Sequence, residues 1–366
     1  MSETILKEEE RIAYALRSLY RQYGYLPYKM SKFEAYDLYV ANKDFLVGDG
    51  VITFNDTDGK LLALKPDVTL SIIKNSSDEN GKQKVYYHEN VYRISGETKQ
   101  FKEIPQVGLE CIGEIGVYEV FETLLLAAKS LEKISPEFVL DVSHLGILSA
   151  TLEEFACDSA FQREVMPLLA EKNLHEAAAL CDKYSVDGQN KEKLLTIIRA
   201  YGNINETLSV LAPLCTSERA KESFEELKML CALLNGSGYG DKIRLDFSVV
   251  NDMKYYNGIV FKGFVDGICE GVLSGGQYNK LMTRMHRKSG AIGFAVYLDL
   301  LQGFKKQKPA YDVDVLVLYD EQTDMETLSK QVLSITESGK SVNVRKAADK
   351  VRYDKLLDLR KGGANV

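Results

Sequence analysis

Polar and apolar residues alternate along residues 84–113, KVYYHENVYRISGETKQFKEIPQVGLECIG. Tyr86, His88, Asn90 and Tyr92 interleave with Val85, Tyr87, Glu89 and Val91. A period of two in β-branched and aromatic residues predicts a strand. Ser95-Gly96-Glu97 breaks the run as a hairpin tip does. The returning run sets Gln106, Gly108, Glu110 and Ile112 on one face and Val107, Leu109 and Cys111 on the other. A long hairpin carrying Arg93, Gln106 and Glu110 toward one region would floor a small polar ligand. The same alternation also fits an ordinary sheet with one solvated face.

Around this hairpin the pattern predicts further elements. Ile12, Leu16, Leu19, Tyr20 and Tyr23 form a helical stripe within residues 5–23, and Gly24 suits a left-handed cap. Residues 25–33 read as extended. Residues 51–54 and 61–64 flank Asn55-Asp56-Thr57-Asp58-Gly59, a hairpin signal. Asp67 and Thr69 then fall at a strand-to-helix junction before a helix near 70–74, where capping alone would account for both. Val120, Leu124, Ala127, Ala128 and Leu131 predict a helix over 117–134, closed by Ser135-Pro136. A strand follows at 138–142. Glycine nearly disappears from 147 to 234, which predicts four or five helices. Strands resume at 243–249, with a second hairpin over 255–264 and 270–274. The Ser274-Gly275-Gly276-Gln277-Tyr278 stretch after it would let a backbone or ligand approach closely, or simply mark a bend. Residues 291–304 read as an amphipathic helix and 305–309 as a basic linker. The chain then reads as strand 313–319, helix 325–338, strand 342–344 and a short helix over 353–359.

A helical block between two strand-rich regions predicts an α+β chain. Residues 1–146 and 239–306 share one sheet, 147–238 are an insertion, and 310–366 are a small α/β domain. The length of 366 residues agrees with two or three domains. A net charge of −7 offers no global pull toward nucleic acid. The charged N-terminus and the absence of any apolar run of bilayer length predict a cytoplasmic chain with no membrane partner. Six cysteines without a CxxC pair read as buried thiols, and four histidines stand at no ligand spacing, so neither metal nor cofactor is expected.

Several stretches together resemble the histidyl-tRNA synthetase family, including its catalytically silent branch, the regulatory subunits of ATP phosphoribosyltransferase. They are LLALKPDVT, ENVYR…PQVGLECIG, KYYNGIVF, SGGQYNKL and AIGFAV, in that order. The resemblance implies a class II aminoacyl-tRNA-synthetase core with a mainly antiparallel sheet, a helical insertion, and a cut-down anticodon-binding-like domain. It also implies a dimer.

The resemblance further implies a histidine pocket. Asp67 and Thr69 would meet the ligand's amino group, Gln106 and Glu110 would face the amino acid, and Tyr255, Tyr256 and Tyr278 would line its slot. Read as residues alone, Tyr255 and Tyr256 also fit sheet core. Arg93 matches the family's first ATP-binding arginine, but Ser95, Gln100 and Lys102 stand where its companions are expected. Asn251 and Leu300 replace two further arginines, and Tyr297 fills a normally small position. No lysine restores a planar bidentate fork on phosphate. The expectation is therefore a non-catalytic regulatory subunit. It would join the short catalytic subunit of ATP phosphoribosyltransferase, raise its activity, and convey feedback by histidine, read in this pocket or at a subunit interface. The alternatives are a divergent histidyl-tRNA synthetase forming histidyl-adenylate, and an amino-acid binder with another partner.

Overall fold

A computed structural model describes residues 7–42, 50–95, 98–155, 159–250, 256–302, 304, 311–348 and 350–360. The N-terminal stripe becomes helix α1 (Glu8–Gln22), with Ile12, Leu16, Leu19 and Tyr20 buried. Acidic Glu8, Glu9 and Glu10 in its first turn and Arg21 in its last complement the helix dipole. Gly24 follows at φ +81°, a conformation glycine takes without steric cost. After β1 (Leu26–Pro27) come β2 (Phe33–Ala35), α2 (Tyr36–Ala41), β3 (Thr53–Asn55) and β4 (Leu61–Leu64), the three strands β2, β4 and β3 forming a small antiparallel sheet. Helix α3 (Thr69–Asn75) leads to the long hairpin β5 (Gln83–Ile94) and β6 (Phe101–Gly113), paired in continuous register from Gln83↔Ile112 to Ile94↔Phe101.

Helix α4 (Val117–Ile134) buries Val120, Leu124, Ala127, Ala128 and Leu131 completely. Beyond β7 (Phe138–His144) lie, among the described residues, six helices: α5 (Leu145–Glu154), α6 (Ser159–Ala170), α7 (Leu174–Lys183), α8 (Gly188–Arg199), α9 (Ile204–Leu211) and α10 (Glu218–Gly236). The expected count of four or five is too low. The short strand β8 (Tyr201–Gly202) interrupts the block and pairs with β9 (Ile243–Asp246). Strands β10 (Ile259–Val265) and β11 (Leu273–Gln277), helix α11 (Asn279–Arg284) and β12 (Gly290–Tyr297) complete this unit.

The main sheet runs β1-β5-β6-β12-β11-β10-β7-β9-β8, so strands from both sides of the helical block share it. It is antiparallel except at β1–β5 and β7–β9. One face carries Leu109, Phe261, Leu140 and Leu245 into the core that also holds α1 and α4. The opposite face meets a second cluster containing Tyr39, Leu70, Ile73, Tyr87 and Tyr278.

The expected helix over 291–304 is instead strand β12 followed by a single 3₁₀ turn at Asp299–Leu301. Its residues Ala291, Ile292, Gly293 and Phe294 are all buried, because this strand lies mid-sheet with cover on both faces. Apolar residues on both faces erase the alternation that marks a strand. Strand β11 likewise begins later than expected, so Gly275 and Gly276 lie within it rather than beyond it.

The second compact unit spans residues 305–366. It has a parallel sheet β14-β13-β15, built from β13 (Val313–Leu318), β14 (Val342–Arg345) and β15 (Tyr353–Asp358), with α12 (Met325–Glu337) between β13 and β14. β15 stands where a short helix was expected. Hydrogen bonding along β13, from Val313↔Tyr353 to Leu318↔Asp358, overrides its local helix-forming character.

Candidate functional site

Glu110 lies mid-strand on β6, between Val85 of β5 and Gly293 of β12, and is 2% exposed. The Thr69 hydroxyl donates to its Oε1 at 2.7 Å, and the Tyr278 hydroxyl donates to its Oε2 at 2.5 Å. No cation balances it among the described ion pairs. Burial pushes its carboxyl up to about 8, with the two hydroxyls pulling the other way and the nearby Asp67 charge adding to the rise. Space for this carboxylate comes from the facing strand. A Cβ on Gly293 would lie 1.8 Å from Glu110 Oε2. Gly108 does the same for Tyr87, whose hydroxyl oxygen would lie 2.4 Å from an added Cβ.

Asp67 sits in the junction between β4 and α3, and its Oδ1 accepts the Leu70 N–H at 2.9 Å, satisfying one donor in the first turn of α3. Burial raises its pKa, while that hydrogen bond and the Arg93 guanidinium oppose the rise. The junction is pinned from beneath. Lys65, wholly buried, donates to Glu89 Oε2 at 2.9 Å, and its carbonyl accepts the Tyr92 N–H at 2.8 Å. Arg93 Nε donates to the Pro66 carbonyl at 2.9 Å.

These groups open onto one cavity of about 640 Å³. Asp67, Thr69, Arg93, Gln106, Glu110, Tyr256 and Tyr278 all line it; Tyr255 and Asn251 lie outside the described residues. Arg93 supplies the only guanidinium among the described lining residues. Leu300 and Tyr297 also line it, and the Tyr297 hydroxyl lies 2.7 Å from Ser274 Oγ. Lys102, on the same wall, pairs with Asp299 at 3.0 Å.

Sequence reasoning did not single out Tyr87, Lys262, Ser274, Asp299 or Gly293 as lining residues. Tyr87 had a usable signal: it stands directly across from Gly108, and a glycine facing a large aromatic marks where the ring lies. Lys262 had none, because its place on the wall depends on the pairing of β10 with β11. Cys269 departs from the expectation of buried thiols: it is exposed at the cavity, whereas Cys111, Cys181, Cys215 and Cys231 are buried.

Residues 2–301 match the family model described as histidyl-tRNA synthetase. The chain belongs to the histidyl-tRNA synthetase family. Among curated relatives it is 28% identical over 291 residues to the ATP phosphoribosyltransferase regulatory subunit of Oceanobacillus iheyensis, covering 78% of this chain and 71% of that one. To the protein of the same name from Alkaliphilus metalliredigens it is 26% identical, over 90% of this chain and 86% of the relative. A crystal structure of an ATP phosphoribosyltransferase regulatory subunit/histidyl-tRNA synthetase from Bacillus halodurans superposes with a TM-score of 0.81 at 20% identity, covering 96% and 94% of the two chains. The ATP phosphoribosyl transferase (HisG:HisZ) complex from Thermotoga maritima contains a chain matching at a TM-score of 0.62 and 18% identity, covering 78% of this chain and 96% of that one. The fold of this family member is therefore the class II synthetase-like α+β architecture.

Proposed function

We propose that this chain is a non-catalytic regulatory subunit of ATP phosphoribosyltransferase. In the cytoplasm it joins the short catalytic subunit, raises its activity and conveys feedback by histidine. The reading is carried by relatives of that name aligning over as much as 91% of the chain. The cavity supports it on chemical grounds. Histidine offers an ammonium and a ring N–H; Asp67 and Glu110 offer buried acceptors, with Tyr87, Tyr256 and Tyr278 as aromatic walls. Adenylation asks for several cationic forks on a triphosphate. The described outer wall instead presents Leu300, Tyr297 and a lysine already paired with Asp299.

Self-association belongs to the same proposal. On the small sheet, Phe33, Ala35, Phe54, Leu62 and Leu64 share one face by their pairing, and none of them is buried. Phe33 and Phe54 stack edge-to-face at 5.6 Å, leaving a patch suited to a second copy.

The deciding experiment pairs two assays. Mixing the chain with a short-form catalytic subunit raises that subunit's turnover, and histidine-dependent ATP–pyrophosphate exchange stays at background. Robust exchange would return the chain to the synthetases.

A further inference from the structure

A second, smaller cavity of about 220 Å³ shares one wall, Tyr256, with the cavity described above. It opens where the helical block meets the elements around the main sheet. Ser149 comes from α5, Arg219 from the first turn of α10, Asn257 from just before β10, and Asn279 and Lys280 from α11.

Among the described residues this wall carries nitrogen donors and no aspartate or glutamate. Asn279 Oδ1 accepts the Ala291 N–H at 3.0 Å, and Asn257 Oδ1 accepts the Lys280 N–H at 3.4 Å. Each carboxamide thus has its oxygen tied to backbone, and its NH2 has no acceptor among the described residues. Arg219 bonds Glu153 of α5 through Nη1 alone, at 2.6 and 2.9 Å, so Nε and Nη2 are likewise without a described acceptor. Glu153 itself stands outside the wall. The hydroxyls of Ser149 and Thr283 donate to carbonyls of their own helices, at 3.3 and 3.0 Å. Lys280 brings a second cation, and exposed Arg284 follows one helical turn later on α11. Like charges at that spacing repel unless an anion meets them. In a chain of net charge −7, an acid-free wall of this kind stands out.

We propose that this pocket holds a phosphoryl oxyanion, either free or at the end of a small ligand. Its volume falls below the roughly 300–1,000 Å³ of sites that enclose drug-sized ligands, so a compact group suits it. The donors arrive from α10, from the approach to β10 and from α11, which fits a tetrahedral phosphate better than a flat carboxylate. The anion bridges α10 and α11 and so ties the helical block to the sheet. The proposal stands apart from the histidine reading, whose acceptors Asp67 and Glu110 line the other cavity.

Calorimetric titration of the full chain with inorganic pyrophosphate at physiological ionic strength tests it. Wild type shows saturable binding of one anion per chain, and the anion raises the melting temperature. N279D keeps an oxygen for the Ala291 N–H and replaces the NH2 by an acidic oxygen. Its pyrophosphate affinity falls by about tenfold or more, the scale of one lost hydrogen bond to a charged group. N257D and R219Q, on other elements, weaken binding as well and carry the same test where N279D fails to fold. Glycerol 3-phosphate separates the two sources: it binds more tightly than pyrophosphate where the natural group is a phosphate ester, and more weakly where the anion is free. Absence of saturable binding to wild type overturns the proposal, as does full affinity in all three folded variants. Loss of binding in K262M with N279D unaffected places the anion in the larger cavity and overturns it too. Acetate binding as tightly as pyrophosphate overturns the phosphoryl assignment.

Discussion

Glu110 is a buried acid whose two oxygens accept hydroxyl donors and face no cation across an ion pair. Its pKa rises from an ordinary 4.5 to about 8, mainly through burial. Between those values the folded chain holds a proton that the unfolded chain has lost. Its contribution to stability is therefore complete below about pH 4.5 and falls away as pH rises toward 8. The slope reaches about 1.4 kcal/mol per pH unit at most. Asp67 shares the cavity and is shifted the same way, so it steepens the same decline. Glu110→Gln removes one titrating group, and its unfolding midpoint in urea changes less between pH 5 and 8 than that of wild type. Parallel profiles would mean the carboxyl is already ionised. The same substitution weakens histidine binding by about 1–3 kcal/mol, the usual cost of a lost buried partner. Calorimetry in buffers of differing ionisation enthalpy also reports a proton released by wild type on binding, since a cationic ligand favours the carboxylate.

At the scale of elements, the facing strand matters as much as the hairpin that bears the carboxylate. Gly293→Ala inserts a methyl group between the Leu109 carbonyl, 2.4 Å away, and the Glu110 carboxylate. Overpacking of this kind costs about 1–3 kcal/mol or more. The variant melts lower and binds histidine more weakly, and an unchanged melting temperature would show that β12 can back away. The small sheet carries a separate prediction. Phe33→Asp places a charge on the apolar face and shifts the chain toward monomer in sedimentation velocity, whereas an unchanged distribution would place self-association elsewhere. These two strands also mark the boundary of what the amino-acid pattern discloses. The β5–β6 hairpin was legible because its faces differ, with Val107, Leu109 and Cys111 toward the main core and Gln106 and Glu110 toward the cavity. β12 was not, because mid-sheet burial on both faces removes that contrast. Arg93 could be singled out with Gln106 and Glu110 on the hairpin, whereas Asp67 and Thr69 read alone as a capped junction and were picked out only through the family resemblance. Lys262 could not, because its place on the cavity wall depends on the Gly271 surface beside it.

For the whole molecule, the proposed feedback through this chain carries a thermodynamic signature. Histidine can alter the assembly only if it binds the free and assembled chains with different affinity. Linkage makes the effect reciprocal: the factor by which the catalytic subunit changes histidine affinity equals the factor by which histidine changes subunit affinity. For ordinary allosteric coupling that factor is about 5–150-fold, or 1–3 kcal/mol. Both sides are measurable with purified components, histidine titrated into the chain with and without partner, and partner titrated with and without histidine. Factors well away from one on both sides couple histidine on this chain to assembly, and their loss in Glu110→Gln places that coupling in the cavity. A histidine affinity that ignores the partner, alongside a catalytic subunit that histidine still inhibits, would place the sensor on the catalytic subunit and leave this chain as an activator alone.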